Sequence, residues 1–294
     1  MNKKKMQLCN DCPRKCNVNR EEGQMGICLS PFLPKVARAG LHHGEEPCIS
    51  GSNGSGTIFF SGCSLKCVFC QNYLISHQQI GKEISIEKLS DIFKELEKQG
   101  ANNINLVTPT HYITSIKKAL EIYRPNIPIV YNCGGYEDLK VIEENLFDIY
   151  IFDLKFFSSE KSKKYANCEN YFHVATKALK RAYDIIGRPV INNDGLMQKG
   201  IIVRHLILPQ STNDSIEIIK WLNHNTPNIY FSLMSQYIPL YKACDYPEIN
   251  RKITRREYNK VINFCMDKDF DEIYIQSLKS ATTDMIPNFD LTGI

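Results

Sequence analysis

The stretch Gly56–Asn72, GTIFFSGCSLKCVFCQN, contains three cysteines, Cys63, Cys67 and Cys70, separated by three and then two residues. The apolar, β-prone residues directly before them predict a strand that ends in a loop of thiols. Because cubane iron–sulfur clusters are bound by Cys thiolates, this loop predicts ligands for three irons of a [4Fe–4S] cluster. The fourth iron would have no protein ligand from the loop, and catalysis takes place at such open metal positions.

Other kinds of thiol site match this spacing less well. Two-cluster ferredoxins use two-residue gaps and a fourth cysteine followed by proline. Zinc sites normally pair one C-x2-C with a second pair. Buried cysteines without metal are the remaining interpretation, but three thiols within eight positions of a glycine-flanked loop favour a metal cluster.

Composition narrows the class of protein. The chain has 294 residues, 43% hydrophobic and 23% charged, which suits one large domain or two small ones. A net charge of +4 is too small to indicate nucleic-acid binding. Neither a membrane-spanning run of about 18 apolar residues nor a signal peptide is recognised. Twelve cysteines without a secretory signal indicate metal binding or catalysis in a reducing cytosol, so we expect a cytoplasmic protein.

The N-terminal region has its own cysteine pattern. Residues 1–50 are predicted to be a Cys-rich segment with a linker, and residues 51–294 the main domain. Four cysteines in the first 30 residues predict a second metal site, with the ligands Cys9, Cys12, Cys16 and Cys28. Metal would supply the folding energy that so short a segment cannot obtain from a core. The metal could be zinc or an iron–sulfur cluster, and its role could be electron relay or structural support. Free cysteines on a flexible arm are the alternative to metal binding.

After residue 56, short apolar strands alternate with helical patterns. The predicted strands are 56–61, 103–107, 127–132, 148–153, 201–208, 229–233 and 272–275. The predicted helices are 86–98, 113–123, 137–145, 159–166, 171–186, 215–223 and 254–268. This alternation indicates βαβ units and a parallel sheet. About six repeats predict an α/β fold, a partial (β/α)6 TIM-like barrel, with a doubly wound sheet as the alternative.

Active sites of such barrels lie at the carboxyl ends of the strands. The candidate residues are therefore the polar ones that follow the predicted strands, with Cys63. They are Thr108, Thr110, Asn132, Asp153, Lys155, Arg204 and the run Ser235–Tyr237. Two charges directly after the apolar strand 149–152 favour a functional role over a solvated ion pair.

The C-x3-C-x2-C run, with Phe69 before its third cysteine, resembles the signature of the radical S-adenosylmethionine (SAM) superfamily. Phe59, Cys70-Gln71-Asn72 and Asp153-Leu154-Lys155 extend the resemblance to the branch of the pyruvate formate-lyase activating enzyme, which activates glycyl-radical enzymes. Two elements of that branch are absent. No Gly-x-Arg precedes Phe59, and Thr108-Pro109-Thr110 stands where activases carry Gly-Gly-Glu.

The resemblance implies a partial barrel, a [4Fe–4S] cluster and SAM. Lys155 would meet the SAM carboxylate, and Asp153 and Asn132 would accept from its ribose or amine. Arg204 resembles an activase arginine near SAM, Leu206 and Phe69 would contact the adenine, and Thr108 and Thr110 stand in place of Gly-Gly-Glu. A similar N-terminal cysteine run accompanies some members of the branch, which supports metal at the N-terminal cysteines.

The resemblance also implies a reaction. A 5′-deoxyadenosyl radical from SAM would abstract hydrogen, in the activase branch from a glycine of a protein partner. A low-potential electron donor, flavodoxin-like or ferredoxin-like, would supply the electron. Radical SAM chemistry on a small molecule, a peptide or RNA is a second hypothesis. A non-catalytic iron–sulfur electron carrier is a third. The sequence therefore predicts the cofactor and leaves the substrate open.

Overall fold

The computed structural model describes residues 8–284 and 286–294. Within them the strands are β1 (Lys35–His42), β2 (Ser55–Phe60), β3 (Lys82–Glu83), β4 (Ile104–Val107), β5 (Ile129–Cys133), β6 (Ile149–Asp153), β7 (Val190–Ile191), β8 (Met197–Leu206), β9 (Tyr230–Met234) and β10 (Glu272–Ile275). The α-helices are α1 (Pro47–Ser50), α2 (Tyr73–Ser76), α3 (Ile86–Lys98), α4 (Ile113–Ile122), α5 (Leu139–Glu143), α6 (Ser159–Ala166), α7 (Tyr171–Ile186), α8 (Thr212–Asn225) and α9 (Arg255–Met266).

The strands form one mixed sheet that does not close. Its order is β10-β9-β8-β6-β5-β4-β2-β1-β3, with β7 paired to β8 outside this path. All neighbours from β2 to β10 along this order are parallel. These are the strands that the alternating pattern predicts, so the α/β prediction is confirmed, and the open sheet is consistent with a partial barrel.

Helix boundaries follow capping chemistry. Ser85 caps α3 by accepting from the Lys88 amide at 3.2 Å, without a capping box, as the sequence predicts. A complete capping box begins α9, where the Thr254 hydroxyl accepts from the Glu257 amide and the Glu257 carboxylate accepts from the Thr254 amide. Each cap satisfies backbone donors that have no partner inside the helix.

The antiparallel strands were not predicted. Residues 31–55 read as a linker because of their prolines and glycines, but Lys35–His42 forms β1 and pairs with β2 over most of its length. Residues near the end of the chain pair with the other edge of β1, where the Ala39 amide donates to the Thr292 carbonyl. The predicted division into residues 1–50 and 51–294 stays a prediction, although β1 and β2 share a sheet.

Side chains alternate between two faces of the parallel strands. One face packs against the surrounding helices and forms the main core, as Tyr131, Tyr150 and Phe152 do. The other face forms a smaller cluster with α1, in which Cys48 and Ile49 pack against strand residues such as Val130 and Ile151. Helix α1 therefore covers this face of the sheet at one end of the strands, and the cavity lies at the other end.

No helix of the described residues combines the length and apolar character that a membrane span needs.

Candidate functional site

A cavity of about 460 Å³ lies at the carboxyl ends of the parallel strands. That volume is in the range of small-molecule binding sites. Cys63, Cys67 and Cys70 all line it, together with residues from β4, β5, β6, β8 and β9. The strand ends thus meet at one site, as the barrel prediction requires.

The loop that carries the three cysteines is held by backbone contacts. Val68 donates its amide to the Tyr165 carbonyl at 2.9 Å and accepts from the Lys242 amide at 3.0 Å. The Ser76 hydroxyl donates to Cys70 Sγ at 3.3 Å, and the Leu65 amide donates to Cys63 Sγ at 3.4 Å. Hydrogen bonds of this kind orient sulfur ligands and tune the metal they bind.

The donor set fits a cubane cluster. In the described residues no three His, Cys, Asp or Glu side chains converge closely enough to hold one metal ion. A [4Fe–4S] cluster does not need that, because each thiolate binds a different iron. Three free thiols on one loop, each lining the same cavity, are the arrangement that such a cluster takes.

The predicted pair at the end of β6 lies in the cavity wall. Lys155 Nζ donates to Asp153 Oδ2 at 2.5 Å, and both side chains line the cavity. Burial alone lowers the pKa of Lys155, but Asp153 and the Cys67 thiolate outweigh it and hold that pKa above its usual value. Tyr171 fixes the turn, since its hydroxyl accepts from the Lys155 amide at 3.0 Å and contacts the Asp153 carbonyl. Lys155 is therefore a fixed cation beside the thiol loop.

Two further predicted residues stand beside this pair. Asn132 is buried, and its carbonyl accepts from the Thr108 amide at 2.8 Å. Thr108 has a left-handed backbone, with φ +59°, a conformation that is rare for a β-branched residue. Both residues line the cavity.

Thr110 is placed differently from Thr108, and its contact with SAM stays a prediction. Thr110 is not among the residues that line the cavity. It is buried, and its hydroxyl donates to Glu137 Oε1 at 2.8 Å, while the Tyr131 hydroxyl donates to Glu137 Oε2 at 2.7 Å. The chain turns into a 3-10 helix after Thr108, and this turn directs Thr110 inward to satisfy a buried carboxyl group.

Arg204 lines the cavity, but it is already neutralised by two carboxylates that the sequence did not point to. Its guanidinium forms ion pairs with both Glu45 and Glu46, and all three side chains are nearly inaccessible. Burial lowers the pKa of Arg204, and the two carboxylates raise it well above its usual value. The two glutamates lie in the turn between β1 and α1, and this turn has no recognisable sequence motif.

Phe69 and Leu206 also line the cavity, as predicted. Phe69 makes an edge-to-face contact with Tyr237, with the ring centroids 5.8 Å apart, and similar contacts with Phe156 and Tyr165. The ring is therefore part of an aromatic cluster, and its contact with adenine stays a prediction.

The N-terminal cysteines also come together. Cys9, Cys12, Cys16 and Cys28 line one small cavity of about 10 Å³, which we call the N-terminal thiol pocket. Arg20 lies against it and donates to the Pro31 and His111 carbonyls. Within the described part of the chain, these side chains do not converge closely enough to hold one metal ion.

Comparisons with known proteins agree with this geometry. A family model described as "Radical SAM superfamily" matches residues 57–222, more than half of the chain. A curated relative, "Uncharacterized protein MJ0674" from Methanocaldococcus jannaschii, is 32% identical over 281 residues, which are 90% of this chain and 76% of the relative.

The solved structures show a similar fold. Streptococcus suis SuiB bound to S-adenosylmethionine superposes with a TM-score of 0.53 at 15% identity, over 74% of this chain and 49% of SuiB. Another SuiB structure gives a TM-score of 0.51 at 14% identity, over 74% of this chain and 48% of SuiB. The match therefore spans about half of SuiB, and at this identity it supports the fold alone. The matched family segment contains Cys63, Cys67 and Cys70 and most of the cavity wall, and the chain belongs to the radical SAM superfamily.

Proposed function

We propose that this protein binds a [4Fe–4S] cluster through Cys63, Cys67 and Cys70 and cleaves SAM reductively in the adjoining cavity. One observation carries the proposal: the three thiols line the same cavity as Asp153 and Lys155. When bound and reduced by an external donor, the cluster would supply the one electron that breaks the C5′–S bond of SAM, which gives methionine and a radical able to take hydrogen from the substrate. The protein's part is to bind, orient and exclude water.

The cavity residues have complementary roles toward SAM. Lys155 offers a positive charge to the carboxylate of the methionyl group, and Asp153 keeps that charge in place. Asn132 and Thr108 offer polar groups to the amine or the ribose, because side-chain oxygens of both types accept hydrogen bonds. Leu206 and Phe69 contribute apolar surface for adenine, and Arg204, whose charge Glu45 and Glu46 neutralise, contributes a polar group to the cavity wall.

The proposed substrate is a glycine in an extended segment of a partner protein. Amide side chains line part of the cavity, namely those of Gln71, Asn72, Gln236 and Gln276. Primary amides both donate and accept, which matches the pattern of a peptide backbone. Gln276 Nε2 donates to Gln236 Oε1 at 3.2 Å, so two of these amides are already hydrogen-bonded to each other. The resemblance of Cys70-Gln71-Asn72 and Asp153-Leu154-Lys155 to activases supports the same substrate.

We further propose that the N-terminal thiol pocket holds a second metal centre. Four free thiols line it, and the segment has little apolar core of its own. A low-potential flavodoxin-like or ferredoxin-like protein would reduce the main cluster, and a reducing, cytoplasmic environment would keep the thiols intact.

An anaerobic assay with the reconstituted, dithionite-reduced protein tests the proposal. We expect conversion of SAM to 5′-deoxyadenosine and methionine, and none in a Cys63/Cys67/Cys70 triple alanine variant. Absence of cleavage by the iron-loaded protein would leave the electron-carrier hypothesis. A peptide with deuterium on its glycine Cα tests the substrate, because deuterium should appear in 5′-deoxyadenosine. Deuterium transfer from a small molecule or an RNA instead would refute the glycine assignment.

A further inference from the structure

The segment after β10 contributes to the cavity wall on the side where the sheet is open. β10 is one edge of the sheet, and β1 lies near the other edge, beside the short strand β3. Gln276 directly follows β10 and lines the cavity, and Pro287 lines it as well. We call residues 286–293 the strap. Ile294, which follows the strap, packs against the main core.

The strap is joined to β1 by its backbone. β3 has two residues and pairs only with the start of β1, and no further strand of the described residues covers this edge. The Leu291 amide donates to the Ala37 carbonyl at 3.1 Å, and the Ala39 amide donates to the Thr292 carbonyl at 2.9 Å. An uncovered strand edge pairs readily with an extended backbone. This edge of β1 therefore already binds a stretch of main chain.

The strap also reaches the wall beside the thiol loop. Phe289 makes an edge-to-face contact with Phe59, with the ring centroids 5.6 Å apart, in a cluster that includes Ala37 and Ile75. Phe59 and Ile75 both line the cavity. In the register of β1 and β2, the residues that the strap contacts lie level with the carboxyl end of β2, where the thiol loop begins. The strap thus lies at the end of the strands where the cavity opens.

Few contacts hold the strap. The side chains of residues 290–293 are exposed. Arg38 pairs with Asp290 at 3.1 Å and donates to the Asn288 carbonyl at 3.3 Å, but the ion pair is exposed, and such pairs contribute little to stability. Leu291 has a left-handed backbone with φ +66°, which is unfavourable for a residue with a side chain. Segments with few buried contacts open more readily than the core, so the strap can detach while the sheet stays folded.

We propose that the strap is autoinhibitory: it occupies the edge of β1 and the wall at Phe59, where an extended segment of a partner protein binds. The partner segment pairs with β1 through its backbone, as Leu291 and Thr292 do, and places an apolar side chain where Phe289 lies. Pairing with a strand edge recognises main chain and so suits an extended polypeptide. That the substrate is a protein rests on the proposed function. Entry of the partner segment requires the strap to leave.

Hydrogen exchange of the cluster-loaded protein tests whether the strap opens. Gly293→Ala places a methyl group against the Ala39 carbonyl oxygen, and Phe289→Ser removes the ring that packs on Phe59. In both variants the Ala39 amide should exchange at least about tenfold faster than in the wild type, because it loses its acceptor. Phe157→Ser, at a partly exposed ring outside the cavity, is the matched control and should leave this exchange unchanged.

A labelled peptide with the sequence of residues 286–292, IPNFDLT, is the probe for the docking edge. It should bind Gly293→Ala and Phe289→Ser at least about tenfold more tightly than the wild type. The reason is that affinity for a site that the chain itself covers is reduced in proportion to the open fraction. The same peptide with serine in place of its phenylalanine should bind more weakly, since it loses the contact with Phe59.

The outcomes separate the parts of the proposal. Gly293→Ala keeps the side-chain contacts of the strap, so it covers failure of Phe289→Ser to fold. Unchanged exchange at Ala39 in both variants would show that the strap is a fixed wall and would overturn the proposal. Faster exchange without tighter peptide binding would overturn docking at β1. Neither measurement involves SAM, so absence of SAM cleavage by protein that meets both expectations would refute only the proposed function.

Discussion

Lys155 Nζ lies 2.5 Å from Asp153 Oδ2, and the two side chains, 24% and 30% exposed, line the cavity beside Cys67. The pair extends from the end of β6, where the Tyr171 hydroxyl holds the turn. An ion pair with this exposure contributes little to folding on its own. Its position next to the thiol loop indicates that it serves a ligand.

Replacement of Lys155 by methionine should weaken SAM binding about 10- to 100-fold, because a charged hydrogen bond contributes about 1.5–3 kcal/mol. Equilibrium binding of SAM to the cluster-loaded protein measures the effect. Iron content should stay unchanged, since Lys155 is no thiol ligand. Lys117→Met removes a cation from an exposed pair with Glu144 and is the matched control. Equal losses of affinity in both variants would contradict the assignment.

The Glu46–Arg204 pair should matter for stability. The Glu46 carboxylate is almost completely buried, and Arg204 holds its pKa below the usual value against the effect of burial. Breaking a buried pair leaves an uncompensated charge, so Glu46→Gln should lower the free energy of unfolding by about 3 kcal/mol. Glu45 still pairs with Arg204, which places the loss at the low end of the usual range.

Urea unfolding of the metal-free protein measures this loss. Glu217→Gln is the control, because Glu217 forms an exposed pair with Lys220 and its removal should cost less than about 1 kcal/mol. If the two variants unfold at the same urea concentration, the buried Glu46–Arg204 ion pair does not stabilise the fold.

Thr108 offers a test of strain at the cavity. Its left-handed φ costs roughly 1–2 kcal/mol for a residue with a side chain, and glycine avoids that cost. Thr108→Gly should therefore raise the free energy of unfolding by about 1 kcal/mol, while Thr108→Ala should not. Both variants lose the hydroxyl and should bind SAM more weakly. An alanine variant as stable as the glycine variant would show that the backbone is not strained.

Glu137 should produce a pH dependence of stability. Burial raises its pKa from 4.5 to about 7, although hydrogen bonds from Tyr131 and Thr110 oppose the rise. The folded protein therefore holds this proton more tightly than the unfolded chain does. The stabilisation is complete below pH 4.5, declines as the pH rises toward 7 and amounts to about 3 kcal/mol in total.

Melting temperatures of wild type and Glu137→Gln between pH 5 and 8 test this. Glutamine cannot lose a proton, so the difference between the two proteins should shift in favour of the variant as the pH rises. A difference that stays constant over this range would mean that Glu137 titrates near its ordinary value.

The parallel strands were predictable because buried parallel strands are continuous apolar runs, such as Ile149–Phe152, and each is followed by a helical pattern. Strand β1 was not predictable, because Pro34 and Gly40 suggested a linker. The strand is stabilised by its pairing with β2, which is not adjacent to it in the sequence. Helix α1 has only four residues, and its place on the concave face depends on the completed sheet.

The residues of the candidate site can also be separated into those that were predictable from the sequence and those that were not. Cys63, Asp153 and Lys155 could be found because they directly follow strands, and strand ends share one face of a parallel sheet. The position of Thr110 was not predictable, because a turn of 3-10 helix directs it to a buried glutamate. Glu45 and Glu46 carried no local signal, since they reach Arg204 only after α1 is folded into place. Residues brought together by a loop that crosses the sheet cannot be recognised from spacing alone.

Helix α1 also has a kinetic consequence. Since it covers this face of the sheet away from the strand ends that line the cavity, the cavity opens at the carboxyl ends of the strands. Under the proposed function, SAM would occupy the part of the cavity beside the cysteines, and the substrate would enter from the same end after it. Binding would be compulsorily ordered, with SAM first and 5′-deoxyadenosine last to leave. A substrate in excess should therefore trap bound SAM and slow its exchange.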